Sequence, residues 1–146
     1  LQLYGQAEVA RWIDDGQPIT AQEAEYWMGV TRTNYEKRGY GMFAIEDRQT
    51  NEVVGFGGIV HPGNQPEPEI KYAFQPGVWG RGLASEFVRG LIHYGQTVHG
   101  LTHFIATVAS PNLASIRVLE KAGLSKTGVR QEDDGSETVV LEWRSP

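Results

Sequence analysis

Cysteine is absent from the chain. Within it, that excludes structural disulfides, cysteine-ligated zinc and a thiol nucleophile, and it suits a cytoplasmic setting. Long apolar runs are also missing: none approaches the roughly 18 residues of a membrane-crossing helix, and no signal peptide is visible. Positive charge is short, with 13 Lys and Arg against 18 Asp and Glu, for a formal charge of −5. That balance argues against a general nucleic-acid binder and mildly favours a basic or amine-bearing partner. The G-x-x-x-x-G-K-[ST] loop of ATP-binding proteins does not occur. His99 and His103 have i, i+4 spacing but enclose Gly100 and no glutamate, so no zincin site and no metal is expected. What remains is a chain of 146 residues, 40% hydrophobic and 21% charged, which suffices for one domain with a sizeable core but not comfortably two.

The order of elements follows from periodicity and punctuation. Residues 6–13 fit a short helix with Val9, Trp12 and Ile13 on one side, broken by Asp14, Asp15, Gly16 and Pro18. Thr20 and Glu23 have capping-box spacing, and Ala24, Trp27, Met28, Thr31 and Tyr35 then form one buried stripe ended by Gly39 and Gly41. MFAIED (42–47) and EVVGFGGIV (52–60) read as strands, the glycines of the second marking a bulge or a close approach by a neighbour or ligand. HPGNQPEPE (61–69) reads as a loop because three prolines prevent regular pairing, and IKYAF (70–74) as a strand. A helix over about 82–96, a buried strand HFIATVA (103–109) and a helix from Pro111 and Asn112 follow. In that last helix Ile116, Leu119 and Leu113 are expected to face inward, with Gly123 just past its end. LSKTGVRQ and ETVVLEWR flank EDDGS as a closing hairpin. The pattern is one α/β domain over residues 1–146.

Between strand IKYAF and the following helix lies QPGVWGRGLASEF (75–87), punctuated by Gly77, Gly80 and Gly82. A helix N-terminus offers unpartnered N–H groups and a positive dipole end, and glycines let the preceding backbone approach a ligand closely. Together they make a phosphate site, or glycines placed for steric reasons alone.

This stretch resembles the acyl-CoA pyrophosphate loop of the GNAT superfamily of N-acetyltransferases. WGRGLASE is similar to the WGKGYATE of its RimJ/RimL-like, ribosomal-protein alanine N-acetyltransferase branch, and NLASIRVLEKAGL (112–124) to that branch's N-x-x-S-x-x-x-x-E-K-x-G-F signature. The resemblance implies a central, mixed, mostly antiparallel twisted sheet flanked by helices, with the family's first strand lying before the start of this chain. It implies acetyl-CoA as cosubstrate, its pantetheine arm bonded to the backbone of Tyr72, Ala73 and Phe74 where that strand splays from its neighbour. Its pyrophosphate would lie on the amides of Val78, Trp79, Gly80, Arg81, Gly82 and Leu83. Arg81 either adds charge or is solvated; Asn112 either bonds the pantetheine or caps its helix. Three positions depart from the family. Gly77 stands where a Gln or Arg is usual, Leu124 replaces a phenylalanine, and Leu119 replaces a tyrosine that often serves as general acid.

Acetyl transfer needs a neutral amine, a polarised carbonyl and a proton for the departing thiolate. Glu69, at the position of the branch's A-E-I-G-Y motif, is the first candidate for general base, with Glu67 and His61 as runners-up; the alternative is a solvated strand-end carboxylate. A base there needs a raised pKa, which apolar neighbours such as Ile70 would supply. The N–H of Phe74 is placed to polarise the carbonyl. Either Ser115 or solvent protonates the thiolate, although a serine early in a helix often bonds only backbone. Direct attack in a ternary complex is expected, since no cysteine can carry the acetyl group. The acceptor is a primary amine, on a protein N-terminus or a small molecule, and the protein acts as a monomer or homodimer. The rival from another class is a non-catalytic acyl-CoA-binding sensor.

Overall fold

The computed structural model describes residues 21–75, 77, 80 and 82–146. The helix expected over 6–13 and the capping residue Thr20 lie outside the described residues. The elements are α1 (Ala21–Arg38), β1 (Met42–Glu46), β2 (Val53–Val60), a 3-10 turn (Pro62–Asn64), β3 (Glu69–Phe74), α2 (Leu83–His99), β4 (His103–Ala109), α3 (Leu113–Lys121), β5 (Ser125–Gln131) and β6 (Glu137–Arg144). The strands form one mixed sheet in the order β1-β2-β3-β4-β6-β5. The pair β3–β4 is parallel, while β1–β2, β4–β6 and β5–β6 are antiparallel. Among the described residues this is the α/β architecture expected, a mixed sheet of six strands with three helices. Among the described residues no helix is long and apolar enough to cross a membrane. The chain divides into two compact units, one running to Val60 and taking in the segment from Lys71, the other holding His61–Ile70 and Gly80–Pro146.

In the first unit α1 ends where expected: Gly39 has φ 80°, and its N–H donates to the Tyr35 carbonyl at 3.0 Å. The expected buried stripe does not include Tyr35, which is 41% exposed. Its ring lies beside Gly41, and its hydroxyl donates to the Met42 carbonyl at 3.1 Å, so the side chain bridges helix and strand at the surface. Strands β1 and β2 pair in register from Met42↔Gly58 to Ile45↔Gly55, with an irregularity before Glu46. The glycines of β2 mark close backbone approach. A Cβ on Gly58 would collide with the carbonyl oxygen of Gly41, and one on Gly55 with that of Ala73.

In the second unit the β4–β6 ladder sorts side chains between two faces, because successive residues of a strand point to opposite sides. Phe104, Ala106 and Val108 pair with Trp143, Leu141 and Val139, and all but Trp143 are buried. The Phe104 and Trp143 rings are 5.7 Å apart. Gly123 packs toward Trp143, which brings the end of α3 to this face. Helix α3 closes with a Schellman arrangement: Leu124 N–H donates to the Leu119 carbonyl and Gly123 N–H to that of Glu120, at 3.0 and 3.1 Å. Ile116 and Leu119 are buried as expected, but Leu113 is 57% exposed. It is the first residue of α3, and its turn is fixed by the Asn112 cap rather than by packing. The opposite face carries His103, Ile105 and Thr107, paired with Arg144, Glu142 and Val140. There His103 Nε2 lies 2.7 Å from Glu142 Oε1. The hairpin β5–β6 turns at Asp134, whose carboxylate accepts from Ser136 N–H and hydroxyl at 2.9 and 2.6 Å.

Two outcomes follow. Gly58→Ala destabilises the fold by about 1–3 kcal/mol, because a backbone oxygen cannot yield as a side chain can; chemical denaturation reads this. The second concerns pH. The His103 bond, then that of Thr127, hold the Glu142 carboxyl below the usual glutamate range against the opposing effect of burial. A depressed folded-state pKa contributes stability that is full above the ordinary value and lost as pH falls through the lowered one. The thermal midpoint therefore drops as pH falls below about 4.3, and Glu142→Gln flattens part of that drop.

Candidate active site

The expected loop 61–69 is shorter than its prolines suggest, because Glu69 already belongs to β3. It pairs with Ile105 of β4, and the Ile105 N–H donates to the Pro68 carbonyl at 2.9 Å. Register puts the Glu69 side chain on the face of β4 that carries Ile105 and Thr107. It is 4% exposed, not a solvated strand-end residue. A carboxylate withdrawn from water needs hydrogen-bond donors, and Glu69 has them. Thr107 Oγ1 donates to Oε2 at 3.1 Å, and Gln65 Nε2 donates to Oε1 at 3.3 Å.

The loop that delivers Gln65 is itself pinned. Gln65 N–H donates to the Pro62 carbonyl and Asn64 N–H to that of His61, at 3.1 and 2.9 Å. Gln65 Nε2 also donates to the Glu67 carbonyl at 3.0 Å. His61, 8% exposed, places Nδ1 3.0 Å from the Gln65 carbonyl oxygen. A carbonyl only accepts, so Nδ1 carries the hydrogen and Nε2 is the basic nitrogen of this ring in its neutral form. Glu67 is half-buried. Of the three candidate bases, Glu69 is thus the one whose carboxylate is buried and oriented by side chains.

A second feature stands at the start of α2. Gly80 and Gly82 have φ 82° and 76°, and a Cβ on either would meet nothing within 4 Å. They are required by the left-handed backbone, not by crowding from protein. Gly82 is the N-cap, and having no side chain it cannot itself cap the first turn of this 17-residue helix. Its N–H groups and dipole end suit an anion. Leu83 opens the helix half-buried, and Val88, Leu91 and Ile92 anchor it. Gly77 is exposed and also open, but without a positive φ. Val78, Trp79 and Arg81 lie outside the described residues.

The other expected residues fall on two elements. In the first unit Ala73 and Phe74 are buried and Tyr72 half-buried, with the rings of Tyr72 and Phe74 6.2 Å apart. The N–H of Gln75, just past β3, is engaged by the Val54 carbonyl at 2.8 Å. On α3, Asn112 is the N-cap: its Oδ1 accepts from Ser115 N–H at 3.1 Å. The cap uses the oxygen of the amide and leaves its NH2 outside that bond. Sequence reasoning missed Gln65 and Thr107. Thr107 sits in a segment read as uniformly buried, where alternation with Ile105 and His103 was the available signal.

The chain matches the model of the acetyltransferase (GNAT) domain over residues 1–125, and it belongs to that family. It is 34% identical over 110 residues to the uncharacterized protein YkkB of Bacillus subtilis, covering 73% of this chain and 64% of that one. It is 38% identical over 99 residues to the uncharacterized N-acetyltransferase YoaA of the same organism, covering 66% and 55%. The chain thus spans less than two thirds of the length of these relatives. Among solved structures, an acetyltransferase from Agrobacterium tumefaciens superposes with a TM-score of 0.82 at 22% identity, over 99% of this chain and 82% of that one. AAC(6')-Ib in complex with paromomycin and acetyl-CoA superposes with a TM-score of 0.78 at 16% identity, over 98% and 84%. At those identities the likeness is one of fold.

The two kinds of glycine separate by mutation. Gly82→Val costs stability by about 1–2 kcal/mol or more, since a β-branched residue must adopt φ 76°. Gly77→Ala stays within about 0.5 kcal/mol, and denaturation curves of the two variants read the difference.

Proposed function

We propose that the chain is an acetyl-CoA-dependent N-acetyltransferase that acylates a primary amine by direct attack in a ternary complex, with Glu69 as general base. The observation that carries this is the buried Glu69 carboxylate, with one donor on each oxygen. Residues 1–146 are read as one catalytic domain. The motifs WGRGLASE and NLASIRVLEKAGL support the RimJ/RimL-like branch.

The residues present fit the cosubstrate at the point where fit can be tested. Gly80 and Gly82 hold a left-handed backbone with open space where a Cβ would stand, ahead of a helix start that no side chain caps. The amides of Gly80, Gly82 and Leu83, with those of Val78, Trp79 and Arg81, would hold the pyrophosphate. The backbone of Tyr72, Ala73 and Phe74, and the NH2 of Asn112, would hold the pantetheine. Acetyl-CoA supplies an activated acyl group and a thiolate leaving group. The Glu69 carboxylate takes the proton that the attacking amine must lose as its nitrogen–carbon bond forms. The Phe74 N–H donates to the carbonyl oxygen, and as the carbon–sulfur bond breaks the sulfur takes a proton from the Ser115 hydroxyl or from water.

The acceptor is an amine on a protein N-terminus or a small molecule. Support for an amine comes from the formal charge of −5 and from the like-folded AAC(6')-Ib, which is an aminoglycoside acetyltransferase. The absence of cysteine supports direct attack over a covalent acetyl-enzyme.

A thiol-release assay with acetyl-CoA and an amine panel (an alanine-terminated peptide, spermidine, paromomycin) tests the reading. Release is expected with at least one amine. Glu69→Gln lowers kcat by about 100-fold or more while the Kd for acetyl-CoA is kept. Gly80→Val loses acetyl-CoA binding. Tight binding of acetyl-CoA with no thiol release for any amine would instead assign the chain as a sensor.

A further inference from the structure

We infer that Thr107 and Gln65 are positioning residues that fix the plane of the Glu69 carboxylate, with His61 locking the loop that carries Gln65. This rests on the reading of Glu69 as general base and deepens it. A carboxylate side chain on an isolated strand end can rotate about its terminal torsion, which has broad wells. At Glu69 that rotation is opposed from both sides. The single hydroxyl hydrogen of Thr107 goes to Oε2, and one of the two Nε2 hydrogens of Gln65 goes to Oε1. The other Gln65 hydrogen goes to the Glu67 carbonyl, so the amide has no donor to spare and cannot turn without losing a bond at each end.

The two donors come from different directions. Thr107 stands on β4, two residues beyond Ile105, which pairs with Glu69 itself. Gln65 comes from the loop that precedes β3, held at its backbone by the Pro62 carbonyl and by the His61 ring on its own carbonyl. Each carboxylate oxygen has two lone-pair positions and spends one on its donor. The remaining lone pairs therefore point in fixed directions, which is what a base needs if an amine proton is to meet it. His61, a candidate base on sequence grounds, acts in this arrangement through its Nδ1–H on the Gln65 carbonyl.

The experiment uses the whole chain with the amine that turns over best. Thr107→Val keeps the shape and removes the hydroxyl, and is expected to lower kcat about 10-fold or more with the KM for acetyl-CoA unchanged. Thr107→Ser is expected to restore kcat, because it returns the donor; Gln65→Leu is expected to act like Thr107→Val. In a Glu69→Gln background, adding Thr107→Val should lower kcat no further. Thermal unfolding of wild type, Thr107→Val, Glu69→Gln and the double variant, without substrate, should show coupling between positions 69 and 107. Normal turnover in Glu69→Gln overturns the base assignment and this inference with it. A defective Glu69→Gln beside wild-type kcat in Thr107→Val and Gln65→Leu overturns the positioning alone. So does a Thr107→Val effect undiminished in the Glu69→Gln background, failed rescue by Thr107→Ser, or no coupling in unfolding.

Discussion

A carboxylate shut away from water needs hydrogen-bond donors to keep its charge, and Glu69 imposes that condition on its unit. An unpaired buried charge costs several kcal/mol, a large part of the stability of a small protein. The condition is met only if β3 and β4 lie parallel in the one register that sets Glu69 opposite Ile105 and beside Thr107. It also requires the segment between β2 and β3 to fold back through a 3-10 turn, so that Gln65 reaches the other oxygen. The prolines of that segment, which prevent regular pairing, are compatible with this course: Pro62 accepts at its carbonyl, and none is asked to donate.

The sheet alternation then separates two duties within the second unit. Phe104, Ala106 and Val108 with Leu141 and Val139 make one face apolar and buried. The odd residues of β4 make the other face, where Thr107 and His103 each hold a carboxylate, Glu69 and Glu142. A slip of one residue in the β4–β6 ladder would turn Glu142 onto the apolar face, away from His103. Core packing therefore protects the register on which the polar face depends.

Much of this was legible in the sequence, for identifiable reasons. The segment HFIATVA was bounded without error because an apolar run between Gly100 and Pro111 admits little else. The hairpin turn was legible from Asp134-Gly135, and the end of α3 from Gly123. Glu69 is singled out by a motif resemblance with a solvated strand end as the open alternative, and the structure buries it. Thr107 and Gln65 escape a reading of the sequence because their bonds to Glu69 are not local. One is a threonine in a buried strand, the other a glutamine among prolines, and neither means anything until β3 and β4 are paired. Leu113 was misplaced because apolar character was taken to imply burial, whereas the first turn of α3 is set by the Asn112 cap.

The glycines show the same limit from the other side. Composition cannot tell a glycine needed for close strand packing from one needed for a left-handed backbone, yet the two sorts do different work. At Gly55 and Gly58 a side chain would strike a neighbouring backbone oxygen, so the protein itself occupies the space. At Gly80 and Gly82 nothing among the described residues does, and the backbone nonetheless holds a conformation that other residues resist. A left-handed backbone that no crowding among the described residues explains is best understood through what it presents outward. Here that is the uncapped start of a long helix anchored by Val88, Leu91 and Ile92. The departure at Gly77 is compatible with the proposed cradle, since recognition by backbone N–H groups would make no demand on the side chain that precedes them.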